Sequence, residues 1–96
     1  MNEEAFKVYM VGKELEEKDE YYSAINHYLS VLKLDRTLVG AYNRIEEILP
    51  LIGESMDTLI QEVDTELGTR LEGMRNARNS FDQLSSLLKS AFPPVS

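Results

Sequence analysis

The chain has 96 residues, 43% hydrophobic and 28% charged, with a formal net charge of −7. That balance fits one small folded domain with a modest core and argues against disorder. The absence of cysteine excludes disulfides, thiolate zinc sites and cysteine nucleophiles, and the acidic charge disfavours nucleic acid and anionic lipid as partners.

The N-terminus, "MNEEAFKV", is acidic where a secretory leader would be basic, so the chain is expected to be cytoplasmic. The first helix is expected from about Asn2 to Lys18. Phe6, Val8, Tyr9, Val11 and Leu15 keep a helical period, Asn2 is placed to cap it, and Glu3 and Glu4 favour its positive end. The dense acids Glu14, Glu16, Glu17, Asp19 and Glu20 read as a solvated face and turn. The second helix is expected over Tyr21–Leu34, with Asp19 as its cap and an apolar stripe of Tyr21, Ala24, Ile25, Tyr28, Leu29, Val31 and Leu32. Only "KDE" separates the two helices, which forces an antiparallel hairpin.

A third helix is expected from Thr37, its natural N-cap, through Leu38, Val39, Ala41, Tyr42, Ile45, Ile48 and Leu49. Pro50 and Gly53 bracket its end. A fourth is expected to start at Ser55 and to run to Ala91, before "FPPVS". No stretch approaches the roughly 18 consecutive apolar residues of a membrane span, so no membrane insertion is expected. The class is all-α: a hairpin and third helix over residues 1–53, a long amphipathic pairing helix over 54–92, and a tail over 93–96.

The span Ala5–Leu38 resembles one tetratricopeptide repeat, a unit of about 34 residues. The likeness rests on Val11, Gly12, Leu15, Tyr21, Ala24, Ile25, Tyr28, Val31 and the "LKLD" of Leu32–Asp35. Val8, Asp19 and Arg36 depart from the pattern, where a large residue, a turn glycine and a proline are usual. Tyr42, Ile45, Leu49 and Gly53 begin a second repeat, which decays at Glu62 and Glu66. In the family, the inner face of each first helix holds an extended peptide or a partner helix. The resemblance thus implies a partner surface of Phe6, Tyr9, Met10, Lys13, Asn43 and Arg44, with Glu17 and Glu47 beside it. Met10 stands where an asparagine would grip a C-terminal carboxylate, so carboxylate capture is not implied.

The fourth helix carries a heptad. Ile60, Leu67, Met74, Phe81 and Leu88 recur every seven residues, with Met56, Val63, Ala77, Leu84 and Ala91 at the complementary position and Arg70 as the one break. Leu59, Leu71 and Leu87 widen the stripe towards that of a bundle. Gly68 and Gly73 mark either a kink that splits the helix or a close helix–helix approach. Residues 1–66 carry 15 acids and six bases, residues 67–96 two acids and four bases. Antiparallel self-pairing would set acid against base, which favours a dimer. Arg70, Arg75 and Arg78 otherwise read as solvent-facing charge.

Nothing here points to catalysis, a cofactor or a metal. His27 is the single histidine, the acids lack the spacing of a calcium loop, and the glycines are too scattered for a phosphate loop. Two readings of function stand. One is a non-enzymatic adaptor, assembly chaperone or regulatory subunit that binds a protein partner. The other is a structural module in which the heptad residues Ile60, Val63, Leu67, Met74, Phe81, Leu84 and Leu88 self-associate.

Overall fold

Helix α1 (Glu3–Glu17) begins where its sequence supplies a cap: the Asn2 side chain accepts the Ala5 backbone N–H at 3.0 Å. In the computed structural model, which describes residues 2–91, α1 is followed by α2 (Tyr21–Leu34) and α3 (Val39–Ile48). A short 3-10 turn over Leu49–Ile52, α4 (Met56–Glu62) and α5 (Thr65–Ala91) complete the order. No strand occurs among the described residues. The all-α expectation holds, and a long C-terminal helix is present.

The first two helices form the expected antiparallel hairpin. Asn2, at the start of α1, bonds the Leu34 carbonyl and the Asp35 carboxylate at the end of α2, each at 3.5 Å. The turn is tight because Asp19 adopts a left-handed φ of 59°, a conformation that glycine reaches without strain. Asp19 does not cap α2. Its carboxylate accepts the Tyr21 hydroxyl at 2.9 Å, and the cap position falls to Glu20. Thr37 likewise does not cap α3, because Asp35 takes both its N–H and its hydroxyl; α3 starts two residues later with Leu38 at the cap.

Gly12 sets the crossing of α1 on α2. A methyl group there would lie 2.8 Å from Cε1 of Tyr28, whose ring is fully buried and has nowhere to move. Alanine inside a helix normally gains about 1 kcal/mol over glycine. Here overpacking, which costs about 1–3 kcal/mol, should win. Gly12→Ala is therefore expected to lower stability by about 1 kcal/mol or more in urea unfolding.

The core lies between the hairpin, α3 and the start of α5. Tyr28, Val31, Leu32, Tyr42, Ile45, Ile48 and Leu71 are its largest fully buried side chains. The continuous helix expected from Ser55 is in fact two. Ser55 caps α4 as read, accepting Thr58 N–H at 3.2 Å. The chain then turns extended at Val63 (φ −83°, ψ 168°), and Asp64 starts α5 by accepting Leu67 N–H at 2.9 Å. The break is thus at Val63–Asp64, and α5 runs unbroken through both glycines. Gly68 serves close approach, since a methyl there would sit 3.1 Å from the Ile60 carbonyl oxygen of α4. Gly73 faces open space. Gly73→Ala should thus raise stability by about 0.5–1 kcal/mol, read as a rise in melting temperature.

Candidate partner-binding surfaces

One carboxylate ties three helices together. Glu16 of α1 accepts the Tyr28 hydroxyl of α2 at 2.8 Å and Arg44 Nε of α3 at 3.0 Å, both on Oε1. A second Arg44 nitrogen bonds Oε2, and Arg44 Nη1 also reaches Glu47 at 2.9 Å. Glu16 is therefore not part of a solvated acidic face. Arg44 holds its carboxyl below the ordinary glutamate value, outweighing the opposing effect of burial, and Tyr28 adds to the depression. Burial, and then the bond to Glu16, push the Tyr28 hydroxyl far up.

This clamp decides what the α1–α3 edge can offer. Arg44 is engaged within the chain. Asn43 accepts Arg78 Nη1 from α5 at 2.8 Å. Tyr9 is half-buried, its ring 5.6 Å from that of Tyr28, with the Lys13 ammonium 6.0 Å over its face. Phe6 and Met10 remain exposed. Of the six residues, only Phe6 and Met10 present free apolar surface; Asn43 and Arg44 act as internal ties. α5 packs on α4, α2 and α3 and leaves Phe6 and Met10 uncovered.

The heptad residues divide. Ile60, Val63, Leu67 and Met74 pack in or against the core, with Leu71 fully buried beside them. Phe81, Leu84, Leu87 and Leu88 are 68%, 55%, 67% and 51% exposed. At 27 residues α5 is about 40 Å long, close to the molecule's largest extent of 43 Å. Its first half belongs to the fold. Its second half carries a bare apolar stripe.

The three arginines of α5 are ties as well, not free surface charge. Arg70 donates to the Leu32 and Lys33 carbonyls at 2.8 and 3.1 Å, closing the C-terminal end of α2, and pairs with Glu66. Arg75 pairs with Asp57 of α4. Arg78 reaches Glu46 of α3 at 3.3 Å, and Lys33 bonds Asp64 at 2.7 Å. The acid–base match expected between two copies is largely satisfied inside one. Apart from Glu66 and Arg70, four residues apart on one helix, nothing local in the sequence signals these ties, whose partners lie up to 38 residues apart.

His27 is partly exposed, with Nδ1 2.8 Å from the Ser23 carbonyl. Among the described residues, no three His, Asp or Glu side chains are grouped to hold a metal ion, and no helix is long and apolar enough to cross a membrane. No family model matches the chain, and comparison with curated proteins and with solved structures returns no match either.

Proposed function

We propose that this chain is a non-enzymatic interaction adaptor of the cytoplasm: a tetratricopeptide-like hairpin and α3 brace α5, which offers its distal half to a helical protein partner. One observation carries the reading. Four large apolar side chains on the last turns of α5 are each more than half exposed, while the first half of the same helix is anchored by Leu67, Leu71 and the arginine ties. Large apolar side chains left exposed side by side, rather than singly, are the mark of an interaction surface. Phe6 and Met10 extend the offer on a second edge.

A second reading, self-association through the same stripe, is favoured by charge. From Asn79 to Ala91 the only charges are Asp82 and Lys89. Two acidic chains can therefore meet there without like-charge repulsion. A photoreactive benzoylphenylalanine in place of Leu88 tests both, with the same group in place of Ser86 on the opposite face as control. A discrete adduct from position 88 alone is expected. A mass near twice the chain's 11.0 kDa would assign the stripe to a second copy, and another mass to a foreign partner. Equal adducts from both positions, or none, would contradict the reading.

A further inference from the structure

The start of α2 meets the 3-10 turn and α4 in a groove of about 110 Å³, whose lining includes neither Phe6 nor Met10. Ile25 and Leu49, both buried, with Ile52 and Leu59, give it apolar walls, and the Tyr22 ring stands at the side, 64% exposed. Glu54 and Glu62 line it too. Past Glu54 it adjoins a shallower hollow that shares Leu49 and reaches Pro50 and Met56.

The carboxylates of the chain fall into two groups, those with an internal cationic partner and those without one. Glu16, Glu46, Glu47, Asp57, Asp64 and Glu66 all have an arginine or lysine partner within the chain. Among the described residues, Glu54 and Glu62 have no ion pair and no side-chain hydrogen bond. Arg75 and Arg78 of α5 are taken up by Asp57 of α4 and by Glu46, which lines the adjoining hollow. The result is an apolar slot with uncompensated negative charge on its rim, next to an exposed tyrosine. Tyrosine, with tryptophan and arginine, is enriched among the anchors of protein interfaces.

We infer that this groove binds a basic amphipathic segment of a partner protein, one that places an aliphatic side chain between Ile25, Leu49, Ile52 and Leu59 and flanks it with lysine or arginine for Glu54 and Glu62. The aliphatic side chain supplies the buried contact. The flanking cations supply orientation and rate of encounter with a chain of charge −7. The segment's long basic stems also cover the Tyr22 ring.

The test is a titration of the full chain with a fluorescent synthetic peptide of alternating Leu-Leu and Lys-Lys pairs, beside the same peptide with glutamate for lysine. The basic peptide should bind and the acidic one should not. Glu54→Gln with Glu62→Gln should weaken binding at least tenfold, and Tyr22→Ala several-fold, without lowering the melting temperature. Glu3→Gln with Glu4→Gln, which removes equal charge at the far end of α1, should change it less than twofold. Equal losses from both acid pairs would reduce the effect to bulk charge and overturn the proposal. So would loss of binding in Leu84→Asp with Leu88→Asp, since the peptide would then sit on the α5 stripe. A concentration-dependent dimer of the unmodified chain that Glu54→Gln with Glu62→Gln abolishes would give the groove to a second copy and equally overturn it.

Discussion

Glu16→Gln is expected to lower stability by roughly 2 kcal/mol at neutral pH, and by much less at pH 3. Charge-assisted hydrogen bonds contribute about 1.5–3 kcal/mol each when removal leaves the partner unsatisfied. The Glu16 and Arg44 side chains are 18% and 29% exposed, so water replaces part of what is lost and the figure stays below that for a fully buried pair. Glutamine keeps the shape and one acceptor but not the charge, and Arg44 is left half-buried with only Glu47. The pH dependence has a definite sign. The Glu16 carboxyl is depressed below its ordinary value of 4.5. Its contribution is therefore complete above that value and is lost as pH falls below it through the depressed folded value. Urea unfolding at pH 7 and pH 3 measures both terms. A deficit of the same size at both pH values would mean that shape, not charge, makes the contact.

Leu71→Ala should cost about 3 kcal/mol and Leu84→Ala less than about 0.5 kcal/mol, though both leucines sit on one helix. Leu71 is fully buried and Leu84 is 55% exposed. Truncating a buried leucine loses its transfer free energy and leaves a cavity, together about 2–5 kcal/mol. Truncating an exposed one removes little that water does not already touch. A chain of this size has about 5–10 kcal/mol of total stability, so the first substitution approaches the threshold of folding. Chemical denaturation of the two variants side by side reads the boundary between the two halves of α5. A large loss at both sites would place the distal half in the fold itself.

The hairpin was legible because each level of its sequence agrees: a helical apolar period, an asparagine cap at Asn2, a linker of three residues, and a small residue at Gly12 facing Tyr28. The division of the C-terminal region was not. The heptad of Ile60, Leu67 and Met74 continues in register across Val63–Asp64, so its spacing hides a chain break that only the Asp64 cap betrays. Arg70 looked like a flaw in that pattern because its partner, the end of α2, is distant in sequence. Glu16 and Arg44 each looked like surface charge for the same reason. Long-range ion pairs leave no periodic trace. They become visible only when the backbone has brought three helices together.

If the distal stripe of α5 is an interface and not part of the core, charging it should leave the fold intact. The direct measurement is melting temperature together with absolute mass by light scattering, at two concentrations, for the wild-type chain and for Leu84→Asp with Leu88→Asp. The variant is expected to keep the wild-type melting temperature, to have a monomeric mass, and to lose any adduct or oligomer that the wild type forms. A melting temperature that falls as far as that of Leu71→Ala would contradict it.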